Sequence, residues 1–187
     1  MSDFSSLSNQ FLIAMPALND PNFSRTVTLV CEHSPEGAMG VTINRQLDLS
    51  INDILEQLDI ETNKTVLPGS FVYQGGPVQE NRGFVLHEPL GNWESTLTIS
   101  ENLGLSTSQD ILLAIATGQG PDKCLLALGY AGWGPGQLEY EIRENTWLSG
   151  PADRKIIFET ALEARWQAAA QSMGVDLTAL SGEAGHA

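Results

Sequence analysis

The sequence predicts an α+β protein in which antiparallel strands and short helices follow one another at irregular intervals. Residues 26–33 and 38–44 are apolar and β-branched, and residues 34–37 (Ser-Pro-Glu-Gly) between them have the composition of a type I turn. This arrangement predicts an antiparallel hairpin. Residues 160–173 carry apolar side chains at helical spacing. Hairpins mixed with helices, in no regular strand–helix–strand series, favour α+β over α/β.

Strands are predicted wherever a short apolar or alternating run is bounded by turn residues. Pro16 ends the first of these runs, and the polar–apolar alternation of residues 95–100 indicates a half-buried strand. The polar residues 79–83 are predicted as a turn. The predicted strands are residues 10–15, 26–33, 38–44, 66–74, 84–87, 95–100, 124–131 and 145–149.

Helices are predicted where a capping residue precedes apolar side chains three and four positions apart. Ser50 with Asp53 is close to a capping box, Gly118 stands where a C-terminal glycine belongs, and Gly174 ends the clearest helical pattern. The predicted helices cover residues 51–58, 106 or 108 to 117, 137–145 and 160–173, with a turn or short helix at 151–155.

Length and composition fit one domain. A chain of 187 residues with 42% hydrophobic and 17% charged residues is long enough and apolar enough to bury a core. No internal repeat or linker divides it. We therefore predict a single domain over residues 1–187, with flexible tails at 1–9 and 179–187.

Acidic residues dominate the charge. There are 23 Asp and Glu against 9 Lys and Arg, which gives a net charge of −14, and only Arg154 and Lys155 are adjacent basic residues. A nucleic-acid-binding protein needs a basic face that displaces counterions from phosphates, and a negative field repels polyanions and acidic membranes. Direct nucleic-acid binding and membrane association are therefore not expected.

Cysteine usage and the N-terminal sequence suggest a cytoplasmic protein. Cys31 and Cys124 lie in apolar runs, which predicts two buried reduced thiols, with a single disulfide between distant strands as the alternative. Residues 1–10 lack the basic region and apolar core of a signal peptide, and no apolar run approaches the ~20 residues that cross a bilayer. We expect a cytoplasmic monomer or weak homo-oligomer.

The most distinctive segment is residues 128–141 (Leu-Gly-Tyr-Ala-Gly-Trp-Gly-Pro-Gly-Gln-Leu-Glu-Tyr-Glu), which places four glycines within eight residues before a predicted helix. Glycines before a helix can cradle a phosphate. The segment has neither the Gly-Lys-Ser/Thr of a P-loop nor the spacing of a dinucleotide fingerprint, and Glu139 and Glu141 would repel an anion. It is better interpreted as a sharp turn that fixes Tyr130 and Trp133, with Glu139 capping the helix.

The sequence offers one candidate for a catalytic pair. Cys31 and His33 would share a face of a strand, where a thiol and an imidazole can act as nucleophile and base. Because Cys31 ends an apolar run, a buried inert thiol is the alternative. No His/Cys spacing typical of a metal site is present, so neither a metal nor another cofactor is expected.

Candidate ligand-binding residues are drawn from three segments. Gly75 and Gly76, before Pro77, can present two backbone N–H groups as an oxyanion hole or can simply mark a turn. Arg45 can hold a carboxylate or phosphate, or pair with an internal acid. The full set of candidates is Asn44, Arg45, Gly75, Gly76, Tyr130 and Trp133.

Five motifs together resemble the bacterial AlgH/YqgE family over residues 11 to 173, nearly the whole chain. Thr42 and Gln46 are small departures from the family pattern, where an aliphatic residue and a proline are usual. The motifs are Phe-Leu-Ile-Ala-Met-Pro at 11–16, Cys-Glu-His at 31–33, Gly-Ala-Met-Gly-Val-Thr-Ile-Asn-Arg at 37–45, Gly-Gly-Pro-Val at 75–78 and Gly-Tyr-Ala-Gly-Trp-Gly-Pro-Gly-Gln-Leu-Glu at 129–139.

The resemblance implies an α+β fold in which a bent, bifurcated β-sheet forms a pseudo-barrel flanked by helices. It also implies a bacterial cytosolic protein carrying the label of transcriptional regulator, and it supplies no set of catalytic residues. We therefore expect a protein that binds a protein or small-molecule partner and affects transcription indirectly. The alternatives are a small-molecule enzyme, hydrolytic or thiol-dependent, that uses Cys31 and His33, and a direct DNA-binding regulator.

Overall fold

A curled, ten-stranded and mostly antiparallel sheet organises the fold, seen in a computed structural model that describes residues 4–61 and 71–180. The strands are β1 (Gln10–Ala14), β2 (Val27–Ser34), β3 (Gly37–Thr42), β4 (Gln46–Ser50), β5 (Phe71–Gln74), β6 (Val78–Glu88), β7 (Thr96–Thr98), β8 (Gly104–Ser106), β9 (Lys123–Trp133) and β10 (Trp147–Pro151). The α-helices of the described residues are α1 (Ile51–Gln57), α2 (Gln109–Ala116), α3 (Gln137–Arg143), α4 (Arg154–Phe158) and α5 (Arg165–Gln171), and a 3-10 helix at Leu162–Ala164 precedes α5.

The long strand β9 is the branch point of the sheet. The main path runs β10-β1-β2-β3-β9-β6-β8-β7, and β4 and β5 join it as a side branch. One edge of β9 pairs antiparallel with β6, while its other edge pairs first in parallel with β5 and then antiparallel with β3. This change of partner along a single strand is the bifurcation that the family resemblance implies, and the α+β class is confirmed.

Most predicted strands are present, but two were missed and several have different bounds. The β2–β3 hairpin is confirmed, with Ser34 opposite Gly37. The predicted turn at 79–83 is wrong, because these residues belong to one eleven-residue strand, β6, whose pairing with β9 is irregular between Val78 and Gly83. The last strand begins at Trp147 instead of 145. The missed strands are β4 and β8, and residues 66–70 of one predicted strand lie outside the described residues.

The helix predictions hold best where a cap is encoded locally. Ser50 and Asp53 form the complete capping box of α1, and Ser108 is the N-cap residue of α2. The predicted helix at 160–173 is shorter than expected. Ala161 has the extended backbone angles φ −54° and ψ 140°, so helical structure begins only at Leu162.

Three buried clusters form the core. The largest lies between β1, β2, β3, β6 and β9 and is completed by residues of α4 and α5. A second cluster lies beneath α1 and α2. The third lies beneath α3 and contains Trp133 and Trp147. This third cluster positions the aromatic side of the site described below.

The predicted N-terminal tail lies against the sheet in the part that is described. The backbone N–H of Leu7 donates to His33 Nδ1 at 2.8 Å, and Phe4 packs on the His33 ring with 4.8 Å between ring centroids. Residues 1–3 and 181–187 of the predicted tails lie outside the described ranges. No helix within the described ranges is long and apolar enough to span a bilayer.

Candidate functional site

One open cleft of about 580 Å³ gathers residues from four of the five motifs, and we call it the motif cleft. It lies where the end of the β2–β3 hairpin faces β9 and the irregular part of β6. Its volume falls in the range of small-molecule sites, roughly 300–1,000 Å³. Its lining residues are Glu32, Ser34, Glu36, Gly37, Ala38, Met39, Val78, Arg82, Phe84, Tyr130, Gly132 and Trp133.

The apolar side of the motif cleft is aromatic. Phe84 and Tyr130 meet edge to face with their ring centroids 5.7 Å apart. Trp133 lies 6.2 Å from Trp147 in a similar edge-on arrangement. Met39, whose thioether side chain adapts to irregular contacts, completes this side.

Glu141 on α3 fixes the orientation of Trp133. One of its carboxylate oxygens accepts hydrogen bonds from both indole N–H groups, at 3.0 Å from Trp133 and 2.9 Å from Trp147. The other oxygen accepts from the Gln137 side chain at 2.9 Å. The acid that follows the glycine-rich stretch therefore holds the tryptophan pair in place.

The polar groups of the motif cleft are mainly acidic. Glu32 projects from β2 and Glu36 from the hairpin turn, and both side chains are exposed. No basic side chain of the described ranges lies within 4 Å of either carboxylate. Arg82 lies opposite them, with its guanidinium carbon 5.5 Å from the Phe84 ring centroid, and it donates to Gln79 Oε1 at 3.3 Å.

Gly75 and Gly76 pack against the β9 backbone where the sheet branches. A Cβ atom on Gly75 would lie 2.3 Å from the Gly129 carbonyl oxygen, and one on Gly76 would lie 2.1 Å from the Tyr130 carbonyl carbon. The Gly75 N–H donates to the Leu128 carbonyl at 2.8 Å, so this amide is used in holding the branches together. Close backbone approach explains both glycines.

Cys31 and His33 do not form a pair. The β2–β3 pairing shifts register between Val30 and Glu32, which interrupts the alternation that would have placed both side chains on one face. Cys31 belongs to the largest core cluster, and its thiol contacts the Leu29 carbonyl at 3.6 Å. Burial raises the pKa of this thiol to about 12, so it is protonated at neutral pH.

His33 pairs instead with Glu139 of α3. Its Nδ1 accepts from the Leu7 N–H, so Nε2 carries the proton that is donated to the Glu139 carboxylate. Partial burial of Glu139 acts to raise its pKa, but the hydrogen bonds from its own backbone N–H and from His33 outweigh this, and the pKa is lowered. The pair links the N-terminal segment, β2 and α3, and neither residue lines the motif cleft.

Asn44 and Arg45 hold the loop before β2. The Asn44 side chain accepts from the Val27 N–H and donates to the Arg25 carbonyl, both at 2.9 Å. Arg45 donates to the carbonyl oxygens of Pro21 and Ser24. The arginine thus contacts backbone carbonyls where the sequence suggested an internal acid, and both residues lie away from the motif cleft.

The remaining candidate features among the described residues are metal-binding groups, a second cavity and the two cysteines. No group of three or more His, Cys, Asp or Glu side chains in residues 4–61 and 71–180 is arranged to hold a metal ion. A second cavity of about 550 Å³ lies between α1, β5 and the start of β9, beside Cys124. Burial raises the pKa of the Cys124 thiol to about 11, and neither cysteine forms a disulfide.

Comparison with known proteins agrees with the motifs. A family model described as AlgH-like matches residues 11–178. The chain belongs to the AlgH-like family. It is 53% identical over 179 residues to a UPF0301 protein of Nitrosococcus oceani, with 96% of each chain covered. It is also 53% identical to a UPF0301 protein of Thioalkalivibrio sulfidiphilus, with both chains fully covered.

Two solved structures share the fold. The solution structure of the AlgH protein from Pseudomonas aeruginosa superposes with a TM-score of 0.81 at 48% identity, covering 97% of this chain and 96% of that one. A crystal structure of a protein from Corynebacterium diphtheriae superposes with a TM-score of 0.69 at 22% identity, covering 92% and 90%. The second similarity concerns the fold alone.

Some motif residues of this AlgH-like chain pack the backbone, and others line the motif cleft. Gly75, Gly76, Asn44 and Arg45 serve backbone packing, whereas Tyr130 and Trp133 line the motif cleft. Sequence reasoning missed six lining residues that carry functional groups or large side chains: Glu32, Ser34, Glu36, Met39, Arg82 and Phe84. Only the alternation along β2 and β3 could have indicated that Glu32 and Met39 share a face. The position of Arg82 depends on the unforeseen irregularity in β6.

Proposed function

We propose that this AlgH-like chain is a cytoplasmic binding protein whose motif cleft takes a small molecule or a short peptide segment, with any effect on transcription exerted through that partner. The observation that carries the proposal is the convergence of four separate motifs on one cleft of about 580 Å³. Sites of this kind combine aromatic walls with a few directed polar groups.

The way the cleft is built supports this reading, because its walls are fixed by contacts outside the cleft. Glu141 orients Trp133, and the glycine contacts at the branch point set the path of β9 beside Tyr130. A cleft formed in this way is ordered before a ligand arrives, which reduces the entropy lost on binding. The buried Cys31 thiol lies outside it, so the cleft itself offers no thiol nucleophile.

Gly132 provides the test of the proposal. A Cβ atom at this position would lie 3.4 Å from Tyr130 Cε2, an ordinary contact, so Gly132→Val fills part of the cleft without displacing the backbone. We expect metabolites that raise the melting temperature of the wild-type protein to have no such effect on Gly132→Val, since ligands stabilise only the state that binds them.

Gly134→Ala is the matched control for that screen. It changes a glycine two residues away, outside the cleft, where a Cβ atom would approach nothing closer than 3.9 Å. A ligand that stabilises wild-type, Gly132→Val and Gly134→Ala proteins equally would place binding elsewhere and refute the proposal, as would a broad screen without any stabilising ligand.

A further inference from the structure

Within the proposed binding function, the chemistry of the motif cleft indicates which class of ligand it takes. Two carboxylates, Glu32 and Glu36, line one side, and neither meets a basic group within 4 Å among the described residues. The other side presents the rings of Phe84 and Tyr130. Carboxylates facing aromatic rings form a surface complementary to cations, since the ring faces carry negative charge.

Arg82 shows how a guanidinium group sits in this cleft. Its guanidinium carbon lies 5.5 Å from the Phe84 ring centroid, within the range of a cation–π contact. Its hydrogen bond to Gln79 is long, at 3.3 Å, and the residue is exposed on the irregular part of β6. The Arg82 side chain can therefore move away from the Phe84 ring at little cost in free energy.

We propose that the motif cleft binds a guanidinium- or alkylammonium-bearing ligand, whose cation lies between the carboxylates of Glu32 and Glu36 and the aromatic face that Arg82 now covers. Arg82 then acts as an internal competitor. The net charge of −14 favours the same class of ligand, because the field of the whole molecule attracts cations. The cationic group can come from a free metabolite or from a basic peptide side chain.

Titrations monitored through the chemical shifts of backbone amides distinguish these two sources of the cationic group. The probes are butylguanidinium, a free guanidinium compound, and the blocked peptide Gly-Arg-Gly. Their neutral counterparts are butylurea and the same peptide with citrulline in place of arginine. We expect shifts at Gly132 and Tyr130 with the cationic member of at least one pair and about tenfold weaker binding of its neutral counterpart. Comparison of butylguanidinium with the peptide then identifies the free or peptide-borne source.

Substitutions at Arg82 and at the two glutamates should change the affinity for the cationic probe in opposite directions. Arg82→Gln removes the competitor and should tighten binding of the cationic probe about two- to fivefold, whereas Glu32→Gln and Glu36→Gln should each weaken it about three- to tenfold. Glu144→Gln, an exposed carboxylate at the end of α3, is the control and should leave the affinity unchanged.

Three results would overturn the proposal. Loss of cationic-probe binding in Arg82→Gln would show that the arginine helps to form the site and does not compete for it. Equal binding of cationic and neutral probes would remove the role of the charge. Failure of both cationic probes to shift Gly132 or Tyr130, while a neutral or anionic compound does so, would reject the ligand class and leave the proposed binding function intact.

Discussion

Glu141 is the side chain on which the tryptophan pair depends. Its carboxylate accepts three hydrogen bonds, from Trp133, Trp147 and Gln137. Glu141→Ala leaves both indole N–H groups without their acceptor in a partly buried setting, and each hydrogen bond to a charged group contributes about 1.5–3 kcal/mol. We expect a loss of about 3 kcal/mol in the free energy of unfolding, measured by urea denaturation with tryptophan fluorescence.

The matched control for Glu141 is Glu144→Ala, at the exposed C-terminal end of the same helix. We expect a change within about 0.5 kcal/mol there, as for most surface substitutions. If Glu141→Ala were no more destabilising than this control, the tryptophan pair would be held by packing alone.

His87 is fully buried and makes the stability of the protein sensitive to acid. Its Nδ1 donates to the Pro89 carbonyl at 2.9 Å, so its Nε2 accepts from the Ser106 hydroxyl at 2.7 Å. Both contacts suit the neutral imidazole. Burial lowers the pKa of His87 below its ordinary value, although the hydrogen bond to Pro89 acts in the opposite direction.

Because the pKa of His87 is lowered in the folded state, the protein should become less stable as the pH falls. The unfolded chain takes up a proton near pH 6.5 while folded His87 stays neutral, so its contribution to stability is complete above that pH and is lost as the pH falls toward the folded pKa. We expect the free energy of unfolding, measured by urea denaturation between about pH 7.5 and 5, to fall more steeply with decreasing pH for the wild-type protein than for His87→Gln. The difference in slope should be up to about 1.4 kcal/mol per pH unit. Identical slopes would contradict this account.

At the scale of the elements, the branch point in β9 explains the glycine motifs. Gly76 crosses Tyr130 so closely that a Cβ atom would lie 2.1 Å from the tyrosine carbonyl carbon. Gly129 has φ +77°, which lets β9 turn as it changes partner from β5 to β3. Two chain segments can approach in this way only where the residue that faces the other backbone lacks a side chain.

Substitution at the crossing should therefore separate essential glycines from tolerant ones. Gly76→Ala overlaps backbone that cannot move without opening the sheet, and we expect a loss of more than about 3 kcal/mol or an insoluble product. Gly134→Ala, in the glycine-rich motif at 129–139, should remain within about 0.5 kcal/mol of the wild-type protein. Soluble yield and urea midpoints measure both, and a stable Gly76→Ala protein would show that the crossing is looser than described.

At the scale of the whole molecule, local signals in the sequence predict most of the elements but not their assembly. The capping box of Ser50 and Asp53 and the hairpin turn at 34–37 are encoded by neighbouring residues, and both are present. The missed strand β4 also has a local signal, since Gln46–Ser50 alternates polar and apolar residues. The bent, bifurcated sheet came from the family resemblance and not from periodicity.

The candidate site was less predictable because its geometry is non-local. Arg45 contacts carbonyl groups more than twenty residues away, which no spacing in the sequence reveals. The shift in β2 that separates Cys31 from His33 depends on how β3 pairs with it. The large rings of Tyr130 and Trp133 between glycines are a local signal, and both residues line the motif cleft.

The charge of the whole molecule bears on the proposal that any effect on transcription is indirect. Nonspecific binding to DNA arises from release of counterions by basic residues, and proteins that bind DNA reach dissociation constants of about 10⁻⁴–10⁻⁶ M even without a specific site. With a net charge of −14, the approach of this chain to a duplex is opposed at long range, most strongly at low salt, where screening is weakest.

We therefore expect no change in the fluorescence anisotropy of a labelled duplex at about 20 mM salt with protein up to about 100 µM, a concentration at which an ordinary DNA-binding protein saturates the duplex. The low ionic strength matters, because it favours any real phosphate contact. Binding that appears at low salt and weakens steeply as salt is added would reveal a basic surface and would make direct regulation the better reading. Without such binding, an effect on transcription has to pass through a partner, and the motif cleft is the place to seek it.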